Sequence, residues 1–428
     1  MFEAIDNLVN QIHYSGVKNV VICPGSRNAP LSISFSRSGL FAIECIPDER
    51  SAGFIAMGMA IRSQSPVALL CTSGSALTNF YPAVVEAFYQ RIPLLVISAD
   101  RPAALIDQWD GQTIRQFGLF GQHVKGSFST SEDYSDTASF GQVAFDALAL
   151  ALNELKGPVH INVPLQEPLY PAPDRKFSPS LVPLVLQETM VKKSTELPNL
   201  KGKKVFVLRG FHLREPKEAA AYPAQFCDLM SGLKGASVPE QLFMVADQDL
   251  KMALQAEVLL SDGTAVLPKA LKNYLRNYGP QEHYHFSWEG DLADPFFSHP
   301  KLIRGDLDRF IETHTQEWDA NFAERWRQAS EQVRTLESKF WETRPFTEFT
   351  AARQFLQEIE NNAVLHVANS MPVRFASLIR HSGHRTFCNR GTSGIDGCVS
   401  TALGMTYQSN SPQFLLVGDV AFFYDSNA

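Results

Sequence analysis

Residues that could do chemistry follow four successive apolar segments near the start of the chain. These residues are CPGSRN (23–28), DER (48–50), TSGSA (72–76) and ADRP (99–102). A guanidinium such as that of Arg27 can bind a carboxylate through two parallel hydrogen bonds. A glycine turn lets the backbone approach a ligand, and the helix start that follows favours an anion. The four segments together predict a binding site for an anionic molecule.

Taken singly, each segment has a simpler interpretation. CPGSRN could be a plain turn between a strand and a helix. Glu49 could be a partly buried carboxylate suited to proton chemistry, or a solvated acid that stabilises a helix start. Four consecutive polar strand ends are more specific than any one of them, because ligands of open parallel sheets bind at the carboxyl ends of the strands. We therefore favour a site.

The elements that must position these residues alternate between strand and helix. Apolar runs over 19–23, 41–46, 67–71, 94–98 and 159–163 are separated by helical patterns, which is typical of a parallel, doubly wound sheet. Proline-rich residues 167–204 predict an extended linker. A second α/β unit follows, with a helix predicted over 218–230, and a third begins near residue 350. The predicted fold is α/β, with domains over 1–180, 181–340 and 341–428, the last incomplete.

Composition excludes several classes of protein. The chain has 428 residues, 45% of them apolar and 19% charged, which is the composition of a globular protein. A net charge of −7 argues against a nucleic-acid binder. No apolar stretch is long enough to predict a membrane span, and the first residues do not resemble a secretory signal. Six scattered cysteines without a CxxC pair favour a reducing, cytoplasmic setting.

The third unit repeats the arrangement of the first. Here ANS (368–370), NRGTSGIDG (389–397) and VGD (417–419) follow predicted strands. A carboxylate at a strand end, such as Asp419, commonly meets a magnesium ion that carries a diphosphate. A Gly-Asp pair alone is weak evidence for such a site.

Together these motifs resemble those of thiamin diphosphate enzymes, and within them the 2-succinyl-5-enolpyruvyl-6-hydroxy-3-cyclohexene-1-carboxylate synthase family. The resemblance extends to PGSRNAPL (24–31), GQTIRQFGLF (111–120), GPVHINVPLQEPLY (157–170) and VGDVAFFYDSNA (417–428). It implies pyrimidine-binding, central and diphosphate-binding domains, in that order. It also implies a homodimer or homotetramer whose sites form between two chains, Glu49 from one and Asp419 with residues 393–395 from the other.

The resemblance assigns roles to particular residues. Glu49 would be the catalytic acid that hydrogen-bonds the aminopyrimidine ring, and Ile395 the apolar support that bends the cofactor. Asp419 would bind Mg2+ or Mn2+. The cofactor-binding residues would be Glu49, Thr72, Ser393, Gly394, Ile395 and Asp419. The substrate-binding residues would be Ser26, Arg27, Arg101, Gln112, Lys269, Ser370, Arg374 and Arg390.

The implied reaction is menaquinone-pathway decarboxylation of 2-oxoglutarate and addition of the succinyl unit to isochorismate. An alternative is another thiamin diphosphate carboligase or decarboxylase, such as an acetolactate synthase, and a second is a non-catalytic folded fragment. The superfamily's metal-binding Asn would lie about 30 residues beyond Asp419, by the length of one βαβ unit. We therefore expect a C-terminally truncated chain that cannot complete the magnesium–diphosphate site, and its activity stays open.

Overall fold

The computed structural model describes residues 1–186, 194, 197–213, 217–235, 237–290, 292–360, 362–379 and 384–428. The chain forms two compact units. Unit 1 comprises Met1–Thr189, Asn389–Ser409 and Asp419–Ala428, and unit 2 comprises Met190–Cys388 and Asn410–Gly418. The domain boundaries expected from the sequence stay a prediction.

The strands are short and pair in parallel. They are β1 (Asn19–Ile22), β2 (Ala42–Cys45), β3 (Val67–Cys71), β4 (Leu94–Asp100), β5 (Ser127–Ser129), β6 (Val159–Pro164), β7 (Val205–Arg209), β8 (Lys217–Glu218), β9 (Gln225–Cys227), β10 (Leu233–Lys234), β11 (Val258–Asp262), β12 (Glu282–Phe286), β13 (Lys301–Ile303), β14 (Val364–Val367), β15 (Arg385–Phe387) and β16 (Gln413–Leu416).

Helices alternate with these strands through most of the chain. They are α1 (Phe2–Tyr14), α2 (Ala29–Ser38), α3 (Glu49–Ser63), α4 (Ser75–Asn79), α5 (Tyr81–Gln90), α6 (Thr137–Leu152), α7 (Leu242–Val245), α8 (Gln248–Ala253), α9 (Lys269–Asn277), α10 (Leu307–His314), α11 (Ala320–Glu342), α12 (Glu348–Glu358), α13 (Met371–Ile379), α14 (Cys398–Thr406) and α15 (Asp419–Tyr424).

Unit 1 is built on one sheet of six parallel strands in the order β2-β1-β3-β4-β6-β5. The residues of β1, β3, β4 and β6 are buried throughout, because helices cover both faces of the sheet. That burial explains why these strands are continuous apolar runs. The parallel α/β architecture predicted from the sequence is confirmed here.

Residues 167–186, the described first part of the proline-rich segment, contain no helix or strand, but they are not a free linker. Residues 187–193 and 195–196 of the predicted linker lie outside the described residues. Three buried polar side chains on α1 hold the described first part. Asp6 accepts a hydrogen bond from the Ser178 amide, and Asn7 accepts one from the Ser180 amide. Residues up to 184 therefore pack along α1 as part of unit 1, with Gln11 bonded to both backbone groups of Leu184.

Unit 2 contains a five-stranded sheet in the order β13-β12-β11-β7-β9, a three-stranded sheet in the order β15-β14-β16, and a two-stranded ribbon of β10 and β8. The helix predicted over 218–230 is wrong, because that stretch contains β8, a turn and β9. Pro223 interrupts it, and Gln225 and Phe226 are buried as strand residues. Phe206 and Trp326 stack in the core of this unit, with ring centroids 4.7 Å apart.

Candidate active site

The turn after β1 packs directly against the end of β3. The Cys23 amide donates to the Leu70 carbonyl at 2.8 Å, and the Asn28 side chain closes the turn onto the Cys23 carbonyl at 2.9 Å. A Cβ on Gly25 would lie 2.4 Å from the Cβ of Thr72. Glycine at 25 is therefore required for the two strand ends to touch, and it brings Ser26 and Arg27 beside Thr72.

Two guanidinium groups converge at this edge. Arg101 donates to the Ser73 hydroxyl at 2.9 Å and to the Gly111 carbonyl at 2.8 Å, and it pairs with Asp110 at 3.0 Å. Arg27 donates to the Leu165 carbonyl at 3.0 Å, while its buried Nε atom has no hydrogen-bond partner. Burial, followed by the nearby charge of Arg101, lowers the pKa of Arg27. A cation with an unused buried donor is suited to bind an anion.

A buried polar network supports the turn after β3. The Gly74 amide donates to the Gln116 side chain at 2.7 Å, and Gln116 in turn donates to Asn162 at 2.9 Å. Asn162 donates to Asp100 at 2.8 Å and accepts from Ser98. Because the network joins the turn after β3, the loop that contains Gln116, and strands β4 and β6, it fixes the positions of these segments relative to one another.

Glycine also determines where Gln112 lies. Gly74 adopts φ +83°, and a Cβ there would lie 3.0 Å from the Gln112 carbonyl oxygen. The backbone of Gln112 therefore sits against the turn that follows β3, and its side chain is exposed.

Glu49 is the first residue of α3 and lies half-buried at the same edge. Asp48 caps the helix by accepting from the amides of Arg50 and Ser51 at 2.9 and 3.2 Å. The side-chain nitrogen Nδ2 of Asn79 lies 3.5 Å from Oε2 of Glu49, which is a long hydrogen bond. Burial, and then the negative charge of Glu49, raise the pKa of the Cys23 thiol. The Glu49 carboxylate therefore lies near the turn after β1, with lone pairs available to a ligand.

The start of α3 also contacts the last residues of unit 1. The Asn427 side chain donates to Asp48 at 2.6 Å, and the Arg50 guanidinium lies 4.6 Å from the centre of the Tyr424 ring. Burial raises the pKa of Asp48, but hydrogen bonds from Asn427 and two backbone amides outweigh it and lower the pKa overall.

Helices α3 and α14 cross at two glycines. A Cβ on Gly58 would lie 2.2 Å from the Thr401 carbonyl oxygen, and one on Gly404 would lie 2.1 Å from the Ile55 carbonyl oxygen. Backbone therefore packs on backbone at this crossing. Glycine at positions 58 and 404 is therefore required for this close approach.

The loop before α14 is held at both ends. At one end the Gly391 amide donates to the Glu86 carboxylate on α5 at 2.7 Å. At the other, a Cβ on Gly397 would overlap the Phe54 ring of α3. Phe54 lies five residues beyond Glu49, or about 7.5 Å along the helix axis. Along the chain, residues 393–395 thus lie between Gly391, which is anchored on α5, and Gly397, which is anchored on α3.

Asp419 begins α15 and is exposed, and one of its carboxylate oxygens accepts from the Val420 amide at 2.8 Å. The described part of the chain contains no group of three or more His, Cys, Asp or Glu side chains placed to hold a metal. Among the same residues, no helix has the length and apolar run needed to span a bilayer.

The predicted site residues divide between the two units. Unit 1 contains the cofactor-binding set and five of the substrate-binding set, namely Ser26, Arg27, Arg101, Gln112 and Arg390. Unit 2 contains Lys269, Ser370 and Arg374, all exposed. Their approach to the strand ends of unit 1 stays a prediction. Residues 393–395 and Asp419 lie in the same unit of this chain as Glu49, and their supply by a partner chain stays a prediction.

Three supporting residues were missed by the sequence analysis. Glu86 and Asp425 are each 1% exposed, and Gln116 is fully buried. Asp425 accepts from the Ser400 amide at 2.6 Å and hydroxyl at 2.8 Å. One signal was visible in the sequence: Glu86 is an acid inside the otherwise apolar helix AVVEAF.

This site, at the polar strand ends of a parallel sheet and beside a glycine-rich loop, is that of a thiamin diphosphate-binding enzyme. Residues 3–119 match the family model described as "Thiamine pyrophosphate enzyme, N-terminal TPP binding domain".

Relatives that align with nearly the whole chain identify one particular family of these enzymes. A protein of Cytophaga hutchinsonii is 37% identical over 100% of this chain and 80% of its own length. Proteins of Flavobacterium psychrophilum and Bacteroides thetaiotaomicron are 35% and 34% identical, over 99% and 98% of this chain and 79% of their own lengths. All three carry the name 2-succinyl-5-enolpyruvyl-6-hydroxy-3-cyclohexene-1-carboxylate synthase. The chain belongs to this family of thiamin diphosphate-dependent enzymes.

Proposed function

We propose that the protein transfers a succinyl unit from 2-oxoglutarate, with loss of CO2, to isochorismate in menaquinone biosynthesis. The observation that carries the proposal is the pair of guanidinium groups of Arg27 and Arg101 at the edge that also holds Glu49. Both proposed substrates are dicarboxylates, and a guanidinium binds a carboxylate with two donors. The name of the relatives supports the same product.

The residues of unit 1 fit the cofactor. Thiamin diphosphate, when bound, supplies a carbon nucleophile and an electron sink for the decarboxylation. Glu49 would hold its ring through a hydrogen bond, which a half-buried carboxylate with free lone pairs is able to accept. Thr72, Ser393, Gly394 and Ile395 would complete the cofactor site.

The metal forms a separate part of the proposal. Asp419 would bind Mg2+ or Mn2+, which prefer oxygen ligands. One Asp419 oxygen is engaged by the Val420 amide, so the other is the candidate ligand.

Substrate recognition would depend on positively charged arginine and lysine side chains and on uncharged polar side chains. Arg27 would use its unpartnered Nε atom, and each charge-assisted hydrogen bond would contribute about 1.5–3 kcal/mol. The remaining substrate-binding residues are Ser26, Arg101, Gln112, Lys269, Ser370, Arg374 and Arg390.

Assembly as a homodimer or homotetramer and a cytoplasmic location complete the proposal. None of the six cysteines, all of which the structure describes, forms a disulfide, which suits a reducing compartment.

The deciding experiment compares substrates and an arginine variant. The purified protein, produced from its complete gene, is incubated with thiamin diphosphate and Mg2+, and with either 2-oxoglutarate plus isochorismate or pyruvate alone. We expect CO2 release and coupling only with the first pair. Arg27→Gln should raise KM for one of the two substrates at least about tenfold, as expected for one lost charge-assisted contact.

The matched control is Arg325→Gln, which removes an exposed arginine of α11 and should leave both KM values unchanged. Turnover of pyruvate alone would instead assign the chain to the acetolactate synthase type. Equal kinetics for Arg27→Gln and the control would remove Arg27 from substrate binding.

A further inference from the structure

Glu86 is a buried acid to which the proposed chemistry gives no task. It lies on α5, is 1% exposed, and has no ion pair within the part of the chain that the structure describes. Burying a carboxylate without strong partners is costly, so its partners identify what it does. All of them are neutral donors.

Three of those donors belong to one loop. The Gly391 amide donates at 2.7 Å to Oε1, while the Thr392 amide and hydroxyl donate at 2.7 and 2.6 Å to Oε2. The fourth donor is Gln90, one turn further along α5. The carboxylate therefore bridges two consecutive backbone amides of the loop, and hydrogen bonds to a charged acceptor are stronger than neutral ones.

Close packing of Gly391 against α5 adds to the hydrogen bonds between the loop and Glu86. A Cβ on Gly391 would lie 2.6 Å from the backbone carbonyl oxygen of Glu86 and 3.1 Å from its carboxylate carbon. Only glycine lets the loop approach α5 closely enough for both amides to reach the acid. Residue 391 is thus fixed by hydrogen bonds and by close packing at once.

The attached residues stand between two predicted functional groups. Arg390, proposed for substrate, directly precedes them, and residues 393–395, proposed for cofactor, directly follow. We propose that Glu86 is a positioning residue, whose carboxylate holds the 390–395 loop in the geometry that binds thiamin diphosphate. The inference rests on the proposed function for the purpose of the loop, but the attachment itself is independent of any activity.

The test is the affinity for thiamin diphosphate of the protein produced from its complete gene, measured by calorimetric titration in the presence of Mg2+. Glu86→Gln keeps the shape but turns one acceptor into an N–H donor facing the loop amides. We expect the Kd for the cofactor to rise at least about tenfold, the effect of one lost charge-assisted hydrogen bond. Gly391→Ala should weaken binding similarly without altering the acid, and Glu86→Asp should restore part of the affinity.

Hydrogen exchange followed by mass spectrometry distinguishes a positioning role of Glu86 in the loop from a general role in the stability of the fold. Peptides covering residues 389–397 should exchange faster in Glu86→Gln, while those of the β3 and β4 core keep their wild-type rates. Glu312→Gln, at an exposed acid of α10, is the matched control. An unchanged cofactor Kd together with unchanged exchange in the loop would overturn the proposal. Absence of turnover with 2-oxoglutarate and isochorismate in the wild type, with the cofactor effect present, would overturn only the proposed function.

Discussion

The crossing of α3 and α14 makes a sharp prediction about stability. Gly58→Ala adds one methyl group at a point where backbone meets backbone. Its Cβ would lie 2.2 Å from the Thr401 carbonyl oxygen, whereas ordinary contacts begin at 3.4 Å. The helices would have to separate by roughly 1 Å, because no flexible side chain is there to move away.

The magnitude follows from two opposing effects. Alanine is better than glycine in a helix interior by about 1 kcal/mol. Overpacking a well-packed contact costs about 1–3 kcal/mol. Gly141→Ala on α6 is the matched control, because the nearest atom to its added Cβ is 4.0 Å away. Both variants gain the helix benefit, and only Gly58→Ala also bears the overpacking cost, so we expect the two variants to differ by about 1–3 kcal/mol.

Differential scanning calorimetry checks this difference. Each kcal/mol moves the midpoint by about 2–4 °C for a domain of 150–250 residues. Gly58→Ala should melt below the wild type and Gly141→Ala at or above it. Equal midpoints for the two variants would refute the close crossing, and with it the packing of residues 398–406 on α3.

Three further predictions concern the groups that support the site. His160 lies fully buried on β6, with its Nε2 atom 2.8 Å from the hydroxyl of Ser98 in the buried network. Burial lowers the pKa of His160 to about 3, so on acidification the unfolded chain binds a proton that the folded chain does not bind. Stability is therefore retained above pH 6.5 and lost as pH falls toward 3, by about 2 kcal/mol at pH 5 for this histidine. Denaturant titrations at pH 7 and 5 should show a smaller loss for His160→Gln, and an identical loss would contradict the assignment. Asp425→Asn should destabilise the chain by about 1–3 kcal/mol in the same assay, more than Ser400→Ala, because it weakens two bonds to a buried acceptor. Gly25→Ala should push against Thr72 and raise the Kd for thiamin diphosphate in calorimetric titration; wild-type affinity would disprove the need for glycine there.

The strand ends of unit 1 could be predicted from the sequence because their signals are local. A buried parallel strand is a continuous apolar run, and the turn that follows it carries its own glycine and polar residues. Arg27, Glu49, Thr72 and Arg101 were therefore assigned to the same edge of the sheet. The family resemblance supplied their roles, which spacing alone could not.

The rest depends on contacts between residues far apart in sequence. No sequence signal near Gly58 or Gly404 indicates that the two glycines lie at the same helix crossing, although each is unusual inside a helix. The predicted helix over 218–230 failed for a related reason. Its apolar residues fit a helical stripe, but β9 is fixed by pairing with β7, which lies about 20 residues upstream.

Buried acids escaped prediction because an acid inside a helix usually lies on a solvated face. Glu86 and Asp425 are buried instead, and Asp425 shows the reason. Gly397, the cap residue of α14, has no side chain to bond the first free amides of that helix. Asp425 bonds the amide of Ser400, the third residue of α14, and so supplies the cap from a distant part of the chain. Glu86 likewise bonds the amides of residues 391 and 392, which lie in a loop and not at a helix start. Amides on both sides of residues 393–395 are therefore bonded by carboxylates from outside the loop, and these acids act together with the glycines at 391 and 397 to set the geometry of the loop.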